Sequence, residues 1–313
     1  MQKDNKIIVT GAAGLVGQNL VLLLREHGYH NIVAIDKHEH NLKILQSFNP
    51  DIETILADLS IEGEWQEKFS AGATVIVLHA QITGLKEDIF IRNNLLATEK
   101  VLAAIKKNNV AYTIQISSSV VNSMATDFYT ETKKKQEKMV LDSGIACCIL
   151  RPTLMFGWFD PKHLGWLARF MEKSMLFPIP GNGKYLRQPL YSRDFCRIII
   201  AAMQQQPKGE IFDIVGKEKI DYIDIIKLIK KNKNLTTLIL PIPYSLFKVL
   251  LKTYAIFSRK PPFTSQQLEA LTAGDVFSGV DMEKAFSIIP TPLIEALNET
   301  FNHPIYSKVY LPR

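Results

Sequence analysis

The chain has 313 residues, 47% hydrophobic and 22% charged, the proportions of a globular protein with room for about two domains, or one large α/β domain with an appended lobe. Its 16 Gly and 15 Pro are too few for a collagenous or low-complexity chain, and a net charge of +6 is a mild excess that suits anionic small molecules rather than the concentrated footprint of a nucleic-acid binder. Cys147, Cys148 and Cys196 form neither CxxC nor a Cys/His cluster, so no disulfide framework and no metal site are expected, and the thiols read as buried in a reducing cytoplasm.

In chain order, short β-branched runs alternate with helical patterns. Strands are predicted at Lys6–Thr10, Ile32–Asp36, Ile52–Ala57, Val75–His79, Tyr112–Ser117 and Ala146–Arg151, with helices near Leu15–His27, Glu39–Phe48, Glu64–Ser70, Ile89–Lys107 and Tyr129–Ser143. This alternation predicts an α/β fold, a doubly wound parallel sheet of Rossmann type whose ligands sit beyond the carboxyl ends of the strands. After Arg151 the texture changes. Prolines 152, 161, 178, 180 and 189 mark irregular connections, a helix is predicted near Leu164–Met175, and Pro180-Gly181-Asn182-Gly183 reads as a turn. A helix at Tyr191–Gln204 and a strand at Ile211–Val215 could rejoin the sheet. The expected organisation is a dinucleotide-binding domain over residues 1–155, with 188–215 rejoining it, and a smaller C-terminal substrate lobe from 156–187 and 216–313. Leu238–Phe257 is rich in Leu, Ile and Phe but carries Lys248 and Lys252. It reads first as a helix packed against the body and alternatively as a membrane-surface or lipid-facing helix. No stretch of 18 uncharged apolar residues occurs and no secretory cleavage site follows the first apolar run, so neither a membrane span nor export is expected.

Thr10-Gly11-Ala12-Ala13-Gly14-Leu15-Val16-Gly17 follows the first strand and opens the first helix. Glycines at this spacing allow a tight turn, close backbone approach to a pyrophosphate and close helix–strand contact, and the helix N-terminus then faces the phosphates. Asp36 closes the second strand, 19 residues beyond Gly17, where a carboxylate can accept from both ribose hydroxyls and repel a 2′-phosphate. NAD is therefore favoured over NADP, although Lys37 and His38 follow directly. Further on, the fifth strand ends in Ser117-Ser118-Ser119, and Tyr129 and Lys133 lie four apart at the start of a helix, on one face of it. An ammonium beside a phenol, with the positive nicotinamide ring of a bound cofactor, favours the phenolate, so the two together are expected to lower the Tyr129 pKa from about 10. A tyrosine so tuned can move a proton to or from a carbinol oxygen while hydride moves to or from a nicotinamide, with a serine hydroxyl holding that oxygen.

These motifs, together with Asp58-Leu59 after the third strand and His79-Ala80 after the fourth, resemble in order the extended short-chain dehydrogenase/reductases, the superfamily of nucleotide-sugar epimerases, dehydratases and reductases. The resemblance extends to about Phe301. It implies that Asp58 and Leu59 flank the adenine, that His79, Ala80 and Gln81 line the middle of the cofactor, that Asn94 contacts it, and that Ser119 is the catalytic serine, with Ser118 as the fallback. From the residues alone, Asp58 is equally a helix cap and His79 a core histidine. Ser117 and Pro152, at the ends of the fifth and sixth strands, complete the expected cofactor set with Gly11, Ala13, Gly14, Leu15, Val16, Gly17, Asp36, Lys37, Tyr129 and Lys133.

Departures from the family pattern narrow the reaction. Val120-Val121 stand where the family's 4,6-dehydratases carry Asp-Glu, and Ser119–Tyr129 holds neither the Cys nor the His of its 3,5-epimerase/reductases, so oxidation or reduction of one carbinol carbon remains. The Ser119–Tyr129 gap is shorter than in typical sugar epimerases. The spacing from Arg187 to Asp194 resembles the family's arginine-to-aspartate motif, in which the arginine contacts a nucleotide-sugar diphosphate; alone, Arg187 could be a structural loop arginine. A second family arginine expected before Gly274-Asp275 is replaced by Thr272-Ala273. The region from Phe263 to Leu297 resembles a subgroup in which some members keep the nucleotide and lose turnover. The first expectation is an NAD-dependent oxidoreductase or epimerase on a nucleotide-activated sugar. The alternatives are a reductase of an apolar, steroid- or flavonoid-like ketone and a non-catalytic NAD-binding assembly subunit or redox sensor. The resemblance also suggests a homodimer through the helices near Ile89–Lys107 and Tyr129–Ser143.

Overall fold

The computed structural model describes residues 2–257, 268 and 277–312. Thr272-Ala273 and Gly274-Asp275, like most of the stretch from Phe263 to Leu271, lie outside the described residues. The first half builds β1 (Ile7–Thr10), α1 (Leu15–Glu26), β2 (Ile32–Asp36), α2 (Glu39–Phe48), β3 (Glu53–Leu56), a 3-10 turn at Glu64–Lys68, β4 (Thr74–Val77), α3 (Glu87–Phe90), a π turn at Ile91–Leu96, α4 (Ala97–Lys107), β5 (Tyr112–Ile116), α5 (Phe128–Asp142) and β6 (Cys147–Pro152). The elements fall where hydrophobic periodicity puts them, within two residues, except that the predicted helix Ile89–Lys107 is broken by the π turn.

The strands pair in parallel in the order β3-β2-β1-β4-β5-β6, and a seventh strand, β11 (Ile211–Ile214), adds to β6 in register Ile211↔Ile149. The order reverses between β1 and β4, leaving a crevice at the carboxyl ends of these two strands, the usual ligand position in such sheets. Each strand is buried on both faces because helices cover both. Ile7, Val9, Ala34 and Ile114 pack towards α1 and α7 (Ser192–Gln205), whereas Ile8, Val33, Val75 and Val77 pack towards α4. That two-sided burial is why the strands read as continuous apolar runs.

The remaining elements are β7 (Met155–Phe156), α6 (Leu164–Lys173), β8 (Leu176–Pro180), β9 (Leu186–Arg187), β10 (Leu190–Tyr191), β12 (Ile220–Asp221), α8 (Tyr222–Asn232), β13 (Leu238–Ile242), α9 (Tyr244–Phe257), α10 (Met282–Phe286) and α11 (Leu293–Asn302). A separate core of Phe156, Leu164, Phe177, Ile226, Leu297 and their neighbours holds α6, α8 and α11 together. The segment Leu238–Phe257 departs from the expected packed helix. Its first five residues form β13, parallel to β8 with Leu238 opposite Leu176, because two prolines and a β-branched pair suit a short ribbon better than a helix. The helix that follows leaves Leu246, Val249 and Leu250 half exposed.

The last described residues fold back onto α1, α2 and the turn at Trp158-Phe159. Leu311 is buried with Leu22, Trp158 and Phe159, Tyr306 packs edge-on against Phe48, and the Asn41 amide donates to the Pro312 carbonyl at 3.4 Å.

Candidate active site

The glycine turn shows why each glycine is there. Gly11 has φ +68°, and a Cβ on it would stand 2.5 Å from the His79 backbone nitrogen, so β1 and the end of β4 approach to a distance only glycine permits. At Gly17 a Cβ would lie 2.3 Å from the Ala12 carbonyl oxygen, where α1 crosses the turn. Gly14 differs: a Cβ there would meet only the Gly11 oxygen, at 3.5 Å, and otherwise open space on the cleft side. Asp36 ties the turn to β2, its carboxylate accepting from the Ala13 and His38 amides at 2.9 Å each.

From this turn a cavity of about 580 Å³ runs along the crevice to the end of β5. Its wall includes Gly11, Ala13, Gly14, Leu15, Val16, Gly17, Asp36, Lys37, Leu59, His79, Ala80 and Gln81, and at the far end Ser117, Ser119, Tyr129, Lys133 and Pro152. The residues present fit a dinucleotide. Gly14 leaves a methyl-sized space beside the N-terminus of α1, Asp36 faces the cavity, and the Ser117 hydroxyl is buried at the other end with no hydrogen-bond partner among the described residues.

Three expected residues do not line it. Asp58 turns its carboxylate to the Ser60 amide (3.0 Å) and hydroxyl (2.6 Å) and to Arg92 (2.7 Å), so it acts as a local cap. Asn94 is fully buried behind the wall. Its side chain accepts from the Gln81 amide at 2.6 Å and donates to Thr132 at 2.9 Å, and the π turn is what aims it there. Arg187 is buried on β9, paired with Ile220 of β12, and is not among the lining residues. The cleft wall also includes the apolar Ile82, Val120, Leu154, Met155 and Phe277, alongside Thr83 and Thr153. Asp160-Pro161-Lys162-His163 and Leu311-Pro312 also line the cleft, beyond the residues that the sequence marks. They come from a loop and a tail remote from the glycine turn in sequence, and no local pattern distinguishes them.

At the chemical end, Asp127 caps α5 by accepting from the Thr130 amide at 3.1 Å, which sets Tyr129 in the first turn and Lys133 one turn on. The lysine run splits: Lys133 is 1% exposed, whereas Lys135 and Lys138 face solvent. Lys133 Nζ donates to the Ile116 carbonyl at 2.9 Å and to Gln136 Oε1. Gln136 in turn donates to Thr98 (2.7 Å), and His79 bridges Thr98 (3.1 Å) and Thr10 (2.9 Å). Both His79 ring nitrogens are thus satisfied, His79 lines the cleft, and burial pushes its pKa down to about 3. Ser118, the fallback, and Ser119 both line the cleft with Tyr129, and of the two it is Ser118 that pulls the Tyr129 pKa down.

The expected tuning of Tyr129 by Lys133 is corrected. Burial pushes the phenol above its ordinary value, opposed by the Ser118 hydrogen bond. Burial also pushes Lys133 down to about 7, with Glu137 pulling the other way. The ammonium is spent on Ile116 and Gln136 rather than on the phenol, which sequence spacing cannot reveal.

Several known proteins are similar to this chain. A farnesyl-dihydroquinoline-oxide ketoreductase of Stigmatella aurantiaca is 22% identical over 260 residues, covering 76% of each chain. The mouse sterol-4-alpha-carboxylate 3-dehydrogenase is 25% identical over 272 residues, covering 78% of this chain and 73% of that protein. The crystal structure of a Bacillus cereus UDP-glucuronic acid 4-epimerase with NAD superposes with a TM-score of 0.71 at 21% identity, covering 94% of each chain. The profile of the NAD dependent epimerase/dehydratase family matches residues 7–215, from β1 through the strand that completes the sheet, and the chain belongs to that family of NAD-dependent oxidoreductase-type enzymes.

Proposed function

We propose that this enzyme moves a hydride between NAD and one carbinol or keto carbon of a substrate whose body is apolar, of sterol or isoprenoid kind. The observation that carries the chemistry is that Tyr129 lines one cleft with Ser118, Ser119 and buried Lys133, at the opposite end from the glycine turn. Bound there, NAD supplies or accepts the hydride. In the reducing direction Tyr129 gives its proton to the carbonyl oxygen, and Ser118 or Ser119 holds that oxygen as charge develops. In the oxidising direction the same groups take the proton back.

The apolar body is favoured by the wall of Ile82, Val120, Leu154, Met155 and Phe277 and by the position of Arg187 away from it. The Stigmatella and mouse relatives, named for a farnesyl-bearing ketone and a sterol, support the same reading. A second reading, a nucleotide-activated sugar, is supported by the superposition of nearly the whole chain on a UDP-sugar epimerase. The test pairs two measurements: NADH consumption with 3-ketosteroids and isoprenoid ketones, and thermal unfolding of the NAD-loaded protein with UDP, TDP or GDP. Turnover of an apolar ketone, lost in Tyr129→Phe with cofactor affinity kept, is expected. Stabilisation by one nucleoside diphosphate, about 2.7 kcal/mol at 100 times its Kd, with no turnover of ketones, would transfer the reading to sugars. Normal turnover by Tyr129→Phe would sink the mechanism for either substrate.

A further inference from the structure

The charge excess, which composition alone spreads over the chain, is gathered in one stretch. Between Asp224 and Glu269 there is no acidic residue, and Lys227, Lys230, Lys231, Lys233, Lys248, Lys252, Arg259 and Lys260 supply eight positive charges. Since the whole chain nets +6, everything outside this stretch nets −2. Lys227 pairs with Asp224 at 2.8 Å and Lys233 with Glu172 at 2.7 Å.

The same stretch carries a continuous exposed apolar surface. On β13, Leu238 and Leu240 point outward, 57% and 43% exposed, while Ile239 between them packs on the lobe core, as strand alternation requires. Leu176, beside Leu238 in the parallel register, and Met175 before it are also exposed. The ribbon leads into α9, where Tyr244, Leu246, Val249 and Leu250 are at least a third open to solvent. Leu246, Val249 and Leu250 share one face of a 14-residue helix about 21 Å long, with Thr253 beyond them, and Lys248 falls on the other side. At the start of the ribbon, Lys173 and the lysines of the last turn of α8 stand close in sequence to Met175 and Leu238.

We infer that β13 and α9 form a surface that docks onto an anionic lipid bilayer, α9 lying in the plane of the interface. An exposed apolar stripe of this extent has no role in the packed lobe, and a protein partner would need to supply a matching acidic, apolar face. A bilayer rich in anionic lipid supplies both properties at once: acyl chains for Leu246, Val249 and Leu250, and headgroup phosphates for Lys173, Lys230 and Lys231 at the start of the ribbon. No helix among the described residues is long and apolar enough to cross a membrane, so the contact is peripheral and reversible. This inference stands on the charge and exposure of the surface and does not depend on the substrate proposed above.

The test is flotation of the full-length, NAD-saturated protein with vesicles of phosphatidylcholine alone or with about 30% phosphatidylglycerol. Binding to the anionic vesicles, at least tenfold above the neutral ones and falling several-fold as salt rises, is expected. Leu246→Glu/Leu250→Glu should cut it at least tenfold with the melting temperature unchanged, since both positions are half exposed. Lys230→Gln/Lys231→Gln should cut binding only to anionic vesicles. Absence of binding to both vesicles overturns the inference, as does binding that ignores Leu246→Glu/Leu250→Glu. So does a solution dimer that the same double substitution dissolves while wild type ignores lipid.

Discussion

Gly11 and Gly14, three residues apart in one turn, should fail in different ways when given a methyl group. In Gly11→Ala the backbone must hold φ near +68°, which costs an L-residue about 1–2 kcal/mol. The new carbon also meets the His79 nitrogen at 2.5 Å, the His79 Cα at 2.6 Å and the Leu78 carbonyl carbon at 2.8 Å, all backbone atoms of the strand next door that cannot rotate away. Prying β1 from β4 at that point adds an overpacking cost of about 1–3 kcal/mol. A loss of about 2–5 kcal/mol, or roughly 3–8 °C in Tm for a chain of this size, is expected. Gly14 has φ −82° and ψ 178°, which alanine adopts freely, and its Cβ meets nothing of the protein closer than 3.5 Å. Gly14→Ala should therefore melt within about 1 kcal/mol of wild type, the residual being its poorer service as a helix N-cap. Its methyl fills the space beside the N-terminus of α1, so cofactor affinity should fall at least tenfold, about 1.4 kcal/mol. Thermal unfolding without cofactor and NADH fluorescence titration read the two effects separately. The reasoning fails if Gly14→Ala is destabilised as much as Gly11→Ala, or if it binds NADH with unchanged affinity.

Other substitutions probe the chemical end. Ser118→Ala should lower kcat more than Ser119→Ala if the hydroxyl that pulls the Tyr129 pKa down is the one that matters, and steady-state kinetics of the two variants decide it. Lys133, with a pKa of about 7 in the folded state against 10.5 for an ordinary lysine, has released a proton that the unfolded chain still holds between those limits, so it makes stability rise with pH there. Denaturant unfolding of the cofactor-free protein should show that rise, at most about 1.4 kcal/mol per pH unit, between about pH 7 and 9, and Lys133→Met should flatten it; an unchanged slope would count against a buried, deprotonating lysine. Asn94→Leu strands the buried Gln81 amide and should cost about 1–3 kcal/mol in chemical unfolding while weakening NAD binding, because Gln81 lines the cleft; loss of affinity alone would mean that Asn94 touches the cofactor directly.

The legible parts of this molecule are those in which one residue meets neighbours close in sequence or repeats a period. Strands buried on both faces announce themselves as runs such as Ile7-Ile8-Val9, and the glycine turn, Asp36 and the Tyr129–Lys133 pair sit at fixed offsets from those runs. What stays hidden depends on where a side chain turns. Asp58 has Ser60 two residues away and Arg92 across the crevice, and both outcompete the cleft. Lys133 finds a carbonyl on β5 and an amide one turn ahead, so its charge does not reach the phenol as spacing suggests. Arg187 lies at the motif's expected offset, yet it is buried on a strand paired with β12 and is not part of the cleft wall. Leu238–Phe257 reads as packed because it is apolar, but apolar residues are also what an exposed binding face is made of, and only the fold distinguishes the two.

The tail that brings Leu311 and Pro312 to the cleft makes the cofactor and this distant segment thermodynamically coupled. Leu311 is seated among Leu22, Trp158 and Phe159, Pro312 is held by Asn41, and both face the same cavity as Asp36. Whatever free energy the seated tail lends to cofactor binding, the cofactor must return to the tail, since coupling between two binding events is reciprocal. Occupancy of the cleft would therefore be recorded far from the reacting carbon, as slower amide exchange in residues that belong to neither the strands nor the glycine turn.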